Sequence, residues 1–496
     1  MSAILVLLAS MPFVVAIVSA FAPLGVSRYL TLACGISSFA LSLCIVPTVA
    51  SGSIPTVGGV LRVDSLGVVF LLAVSFLYAS TSVFAIGYLE RTGGSAGDRY
   101  GRRFYAGLNL FCWSMLAVPL VNGLALLWVA IEITTVVSAL LVAIDDTDGA
   151  SEAAWKYILL ASLGLGIALL ATIIMYYAGT TQFGSAYDLS YAKVLGGAAH
   201  FSPAVVRLSF VLAVLGYGTK MGLFPVHTWL PDAHSEAPTP VSALLSGALL
   251  AVSFYAILRF FQIATRALGP AFPRDVLLVF GVATLLLAAL YLLSQRDLKR
   301  LFAYSSVEHM GILAVGTSFG VTIAIVGVLL HVLAHAAAKG TAFFGVGSVV
   351  RRFGTKDMSL IRGGIGELPW SGPMLVAAVL ALSALPPFGV FRSEFLIVDG
   401  GLASAHDAGA AILVVLVTVA FFGLSWFTTQ TMLSPDAAPG HASDSSLVVV
   451  RRVEESPWIV VAMLTGLGAL LVLGIHPPSQ LSQLLGRAAD ELASRR

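Results

Sequence analysis

Runs of about 20 apolar residues follow one another along almost the whole chain, and each is long enough to cross a hydrocarbon layer roughly 30 Å thick. They begin near residues 3, 29, 65, 104, 123, 155, 205, 240, 274, 302, 322, 371, 409 and 457. Lipid offers the backbone no hydrogen-bond partner, so such a run must satisfy its own N–H and C=O groups by forming a helix. Composition agrees: 58% of the 496 residues are hydrophobic and 10% are charged, whereas a soluble domain is roughly one quarter charged. The expectation is an all-α polytopic membrane protein of about 14 transmembrane helices, with short connections and no soluble module. The first run, from Ala3, lacks a basic leader and reads as a retained span, not a cleaved signal.

Several functions are excluded by what the chain lacks. A net charge of +2 carries no basic patch for nucleic acid. Cys34, Cys44 and Cys112 all lie within apolar runs and form no C-x-x-C pair, so neither a disulfide framework nor an iron–sulfur site is indicated. There is no P-loop and no dinucleotide fingerprint. No cofactor, metal or catalytic residue is therefore expected, and driving energy must come from an ion gradient or from partner subunits. Arg91, Arg99, Arg102 and Arg103, then Arg296, Lys299 and Arg300, then Arg351, Arg352, Lys356 and Arg362, then Arg451 and Arg452 all follow odd-numbered spans. The positive-inside rule makes their side cytoplasmic and puts both termini outside. Residues 434–455 read as a mobile loop, and the tail after His476 as an amphipathic surface helix.

Against this background the ionisable residues inside spans stand out, because such residues are costly and usually face a bundle interior or a water-filled path. Lys220 lies in the seventh span, which Gly222 and Pro225 then interrupt; a polar hairpin with His227, Asp232, His234 and Glu236 follows. Backbone freed by such a break must face protein or water. Glu132 is a lone carboxylate in the fifth span. Burial penalises the charged forms of acids and amines alike, so Glu132 and Lys220 can exchange protons if they meet; the alternative is an ion pair that only fixes helix register. His331, His335 and Lys339 recur every four residues in the eleventh span, which places them on one helix face as candidate proton carriers. H-x-x-x-H also suits a metal, but no carboxylate or Cys completes the set.

Glu394 follows a second interruption, Pro386–Pro387, in the twelfth span, with Arg392 two residues before it. It reads as the last carboxylate of a relay or as half of an interfacial Arg–Glu pair. Glu308 and His309 lie in the tenth span and point different ways on a helix, so at most one is expected to face a given path. Glu308, His227 and His234 are candidate gate or relay groups. Two interrupted helices at matching places point to a transport site between repeats. The expected organisation is spans 1–3 in residues 1–103, one five-helix repeat in 104–262, a second, inverted one in 263–432, and a loop, last span and tail in 433–496.

The stretch KMGLFPVHTWLPDAHSEAPTPVSALLSG around Lys220, together with Glu132, Pro225, His331, His335, Lys339 and Glu394 in order, resembles the proton-conducting membrane transporter family. These are the antiporter-like subunits of respiratory complex I, of Mrp-type cation/proton antiporters and of membrane-bound hydrogenases. SEAAWKYILLASLGLGIAL, RDLKRLFAYSSVEHMGIL and ALPPFGVFRSEFLI are most similar to its hydrogenase-4 component F branch. The resemblance implies fourteen helices, inverted repeats and a midplane chain of buried charges that translocates protons. It also implies neighbouring membrane subunits, peripheral Ni–Fe and Fe–S redox subunits as partners, and a bacterial or archaeal cell membrane. Ala251 stands where many relatives carry a lysine or histidine, so Ser246, Ser253 and Tyr255 become candidates for the link between Lys220 and Lys339. An Mrp-type Na⁺/H⁺ antiporter subunit and a scaffold without transport of its own are the competing readings.

Overall fold

The structure, a computed structural model, describes residues 1–90, 94–184, 187–435 and 456–493. Arg91, Arg451, Arg452 and nearly all of the expected 434–455 loop lie outside the described residues. Helices α1 (Ser2–Phe21) and α2 (Leu24–Ala50) lead through a small hairpin, β1 (Thr56–Val57) and β2 (Leu61–Arg62), into α3 (Ser65–Leu89), α4 (Gly94–Leu120), α5 (Leu124–Val142) and α6 (Asp148–Phe183). Next come α7 (Tyr191–Gly197), α8 (Pro203–Met221), α9 (Trp229–Glu236), α10 (Thr239–Leu244), α11 (Leu250–Leu268), α12 (Ala271–Leu292), α13 (Leu298–Phe319) and α14 (Thr322–Phe353). The chain closes with α15 (Gly364–Glu367), α16 (Ser371–Leu382), α17 (Gly389–Ala403), α18 (Asp407–Met432), α19 (Pro457–Ile475) and α20 (Ser479–Ala493).

Among the described residues 11 helices are long and apolar enough to cross a membrane. The expected fourteen is reached only by adding α4 and α13, which are long but more polar, and the interrupted pair α16 and α17. The expected breaks are present: the seventh apolar run ends with α8, the polar hairpin after it forms the short helix α9, and the twelfth run divides into α16 and α17. α10 and α11 run on as one rod through a single π turn at Leu245–Leu249. The connection between the sixth and seventh spans contains the end of α6 and all of α7.

The rod Thr239–Leu268 and α14 form the interior. The rod's apolar window is 100% buried and that of α14 is 89% buried. α14 packs against α3, α13, α16, α17, α19 and α20. α1 and α18, by contrast, are 28% buried and turn Val14, Ile17, Val415 and Phe422 outward, as lipid-facing helices do. The basic loops meet at one end of the bundle. There Arg300 pairs with Asp232, Lys356 with Glu236 at 2.8 Å, and Arg351 donates to Tyr88 O at 2.9 Å.

A buried ionic cluster closes the opposite end. Asp64 caps α3 by accepting from Gly67 N at 3.0 Å and takes Arg259 Nη2 at 2.6 Å; Arg259 also donates to Tyr255 Oη at 2.8 Å and lies 4.4 Å from the Tyr191 ring. Gln262 Nε2 donates to Glu491 O at 3.3 Å, which ties in α20. That helix buries Leu484, Leu485, Ala488, Ala489 and Leu492 and leaves its other face out, the amphipathic tail expected from sequence. Burial by itself would raise the Asp64 pKa, but the Arg259 charge and hydrogen bond, with Gly67 N–H, bring it below its ordinary 3.8. A depressed carboxylate contributes stability that is present above 3.8 and is lost as pH falls below it. Asp64→Asn is expected to cost about 3–5 kcal/mol at neutral pH, read by thermal unfolding in detergent, with mutant and wild type converging in acid. A deficit independent of pH would contradict the assignment.

Candidate functional site

The break after Lys220 is built from backbone bonds. Gly222 ends α8 at φ +90; its N–H and that of Leu223 both bond to Gly218 O, at 2.9 and 2.8 Å. Phe224 N, freed by the interruption, donates to Thr284 Oγ1 of α12 at 2.9 Å. A side chain from a neighbouring helix thus meets the demand that lipid cannot. The second break repeats the pattern: Ala384 ends α16 at φ 51, and Leu385 N bonds to Leu380 O at 3.1 Å. Gly222-Leu-Phe-Pro225 and Ala384-Leu-Pro-Pro387 therefore share one local geometry. The ionisable groups do not: Lys220 precedes its break, and Glu394, on α17, follows the other.

Lys220 is fully buried. Its Nζ donates to Thr135 Oγ1 of α5 and, at 2.9 Å, to Tyr157 Oη of α6. Tyr157 Oη in turn lies 2.7 Å from Ser138 Oγ, and its ring stacks on Trp229 of α9 at 4.4 Å. Glu132 is one helical turn from Thr135 but only half-buried, accepting from Ser162 Oγ at 3.2 Å with Oε2 unpartnered. The expected direct meeting of Glu132 and Lys220 is not made: Lys220 is held by the hydroxyls of Thr135 and Tyr157, and Glu132 by that of Ser162. Thr135, Ser138 and Tyr157 were not singled out from sequence, because hydroxyls inside a span are common and only packing shows which of them face an amine.

Lys339, on α14, is also fully buried, and its Nζ donates to Phe302 O of α13 at 3.2 Å. The same carbonyl accepts from Ser306 Oγ at 3.0 Å, and Ser306 Oγ lies 2.7 Å from Ser246 Oγ in the π turn. Of the three candidates for the link, only Ser246 joins it. Ser253 Oγ bonds back to Leu249 O at 3.2 Å, and Tyr255 belongs to the Arg259 cluster. Between the lysines lies His234, buried, with Nδ1 donating to Leu230 O at 2.8 Å and Nε2 without a partner. Its ring is 6.3 Å from Trp229 and 5.9 Å from Phe343. His227 is buried in the α8–α9 loop with Nδ1 unpartnered and its ring 6.5 Å from Phe224; no hydrogen bond joins it to Lys220.

Beyond Lys339 the histidines converge. The ring centroid of His309 lies 5.1 Å from that of His331 and 5.0 Å from that of His335. Both nitrogens of His335 and one carboxylate oxygen of Glu394 are buried without partners. His309 and Glu308 both reach this region, contrary to the expectation that only one would. Neighbours on a helix diverge by only about 100°, so they flank one cluster from two sides: His309 meets the rings, and Glu308 is within electrostatic range of Lys339 and Glu394. Arg392 donates to Gly474 O at 3.3 Å and Ile475 O at 3.4 Å, at the end of α19, so it does not form the interfacial pair with Glu394. Donor atoms of His309, His331 and Glu394 lie within 4.8 Å of one another. That set suits a divalent cation by donor type, but a hydrogen bond already joins the two rings at 3.0 Å.

Comparison with known proteins assigns the scaffold. Residues 121–422 match the family described as NADH:quinone oxidoreductase/Mrp antiporter, transmembrane. The hydrogenase-4 component F homolog of Methylacidiphilum infernorum is 37% identical over 365 residues, covering 73% of this chain and 76% of that protein. The chain belongs to this family. NADH-quinone oxidoreductase subunit N of Desulforudis audaxviator is 34% identical, over 75% of this chain and 73% of that one. The same fold recurs in the Mrp complex from Dietzia sp. (TM-score 0.84, 20% identity, 99% of this chain and 97% of that one). It also recurs in respiratory complex I from Thermus thermophilus (TM-score 0.80, 22% identity, 98% of this chain and 99% of that one). The protein is thus an integral, multi-pass, antiporter-like membrane subunit of the hydrogenase-4 and complex I kind.

The two breaks make the same demand of one backbone position, a left-handed φ, and meet it with different residues. Gly222→Ala is expected to destabilise by about 1–2 kcal/mol, because the left-handed conformation penalises a Cβ and that Cβ falls 2.7 Å from Leu230 Cδ1. Ala384→Gly is expected to stabilise by a similar amount, for the same reason reversed. Thermal unfolding of the two variants in detergent checks both signs.

Proposed function

We propose that the chain translocates protons through a series of buried groups running from Glu132 and Lys220, past His234, to Lys339, His331, His335 and Glu394, with Glu308 alongside. The observation that carries this reading is the setting of the two lysines. Each is buried and held only by hydroxyl or carbonyl oxygens, and among the described residues no ion pair joins either to a carboxylate. An amine retained only to fix packing would be expected to keep a permanent counter-charge. An amine held by neutral partners can release its proton and take it back. The bare Nε2 of His234 and the Ser246–Ser306 bridge supply the stepping points between the halves, at the place where Ala251 cannot.

The two halves, 104–262 and 263–432, act in this reading as inverted five-helix repeats, each with one interrupted helix. The matched backbone bonds at Gly222–Pro225 and Ala384–Pro387 support it, as do parallel packings: α6 against α8, and α14 against α16. Helices α1, α3, α19 and α20 pack against these halves. The staples on α9 fit a gate at the cytoplasmic end: Lys156 to Asp232 at 3.3 Å, Lys356 to Glu236 at 2.8 Å, and Lys299 Nζ to Ala237 O at 2.8 Å. The relatives' names place such subunits in hydrogenase-4 and NADH-quinone oxidoreductase complexes. Other membrane subunits, and peripheral Ni–Fe and Fe–S subunits supplying redox energy, are the partners we propose here.

Lys220→Met, Lys339→Met and Glu394→Gln should each lower proton translocation in membrane vesicles by about 100-fold or more while the complex still assembles and co-purifies. Unaltered translocation in all three leaves the scaffold reading. Translocation that requires Na⁺ in the wild type favours the antiporter reading instead.

A further inference from the structure

Four polar groups form an unbranched hydrogen-bonded line from α17 to α13. Ser393 Oγ donates to Val390 O at 2.7 Å and lies 2.9 Å from His331 Nδ1. His331 Nε2 lies 3.0 Å from His309 Nδ1, and His309 Nε2 is buried with no partner.

Counting donors fixes the protons along this line. A carbonyl only accepts, so the single hydroxyl hydrogen of Ser393 goes to Val390 O. The contact between Ser393 and His331 then closes only if Nδ1 of His331 carries a hydrogen. That leaves His331 Nε2 as a lone pair, which accepts from His309 Nδ1–H and leaves His309 Nε2 bare. With Ser393 donating to His331 instead, two bonds form rather than three, and an N–H is stranded at the buried Nε2 of His309. Stranded donors are the rarer and costlier outcome.

We propose that Ser393 is a positioning residue: by accepting the Nδ1–H of His331 it sets the tautomers of both histidines and leaves His309 Nε2 as the open proton acceptor of the pair. This deepens the proton-relay reading and rests on it for its effect on transport. A proton bound at His309 Nε2 is balanced by release of the Nδ1 proton to His331 Nε2. His309 ends neutral in its other tautomer, and His331 ends cationic. Transfer through the pair therefore runs from α13 toward α17, where Glu394, the neighbour of Ser393, has a carboxylate oxygen within 4.8 Å of ring nitrogens of both.

The tautomer is read by solid-state ¹⁵N NMR of the histidine-labelled full chain in its native membrane complex, with His331 signals identified by their loss in His331→Gln. Wild type and Ser393→Thr are expected to show His331 protonated on Nδ1 with a bare Nε2. Ser393→Ala is expected to gain the Nε2-protonated form and to lose translocation by about tenfold or more, as a wrong tautomer does, while Ser393→Thr keeps both. A wild-type His331 protonated on Nε2 overturns the proposal, as does an alanine variant with an unchanged tautomer. Should Ser393→Ala fail to assemble, the wild-type spectrum alone decides. The spectrum needs no transport, so a failed relay, seen as normal pumping in Lys220→Met, is told apart from a failed tautomer assignment.

Discussion

A lysine amine that never reaches water cannot simply be packed, because taking a charge out of water costs several kcal/mol unless other dipoles replace the solvent. The surroundings of Lys220 are arranged to that end. Thr135 and Tyr157 come from two different helices to meet its Nζ, so α5 and α6 must bring their hydroxyls to the depth of Lys220. Tyr157 is held in turn by Ser138 and by the face of Trp229. Trp229 begins the short helix that exists only because α8 stops at Gly222. The amine, its hydroxyl partners and the helix break form one unit, and none of them has a lipid-compatible arrangement without the others.

The second half meets the same constraint differently. Lys339 sits in an unbroken helix, and its partner is a backbone carbonyl of the neighbouring α13, Phe302 O. That carbonyl is shared with Ser306, and Ser306 reaches the π turn of the central rod through Ser246. A π turn inside a buried helix shifts side-chain register locally and recurs at functional positions. Here it presents a hydroxyl where the neighbouring Ala251 offers nothing that can hold a proton. The polar hairpin of α9 is pinned by Lys156, Arg300, Lys356 and Lys299, so the buried His234 at its core end is held from the end of the bundle where the basic loops meet.

Lys220, His331, His335, Lys339 and Glu394 could be read from the chain because an ionisable residue in a long apolar run is an anomaly visible in one dimension. The two breaks were legible for the same reason, since Gly and Pro interrupt a helix wherever they stand. Thr135, Tyr157, Ser306 and Ser393 were not legible: hydroxyls are unremarkable within a span until helix packing turns them toward a charge. Glu132 shows the converse. Its isolation in the fifth run suggested full burial, yet α5 lies near the surface of the bundle and leaves it half-exposed. Helix geometry alone separates His309 from Glu308, whereas a cluster as wide as three imidazoles can be flanked by both.

A relay requires these groups to be joined by polar, proton-conducting contacts and not merely buried near one another. A cryo-EM map of the assembled complex, at a resolution that shows ordered water, tests it most directly. Density for bridging waters is expected between Glu132 and Lys220 and from His234 to Lys339, with the side chains turned toward one another. Close-packed apolar side chains filling those intervals, with no water between the lysines, would contradict the account.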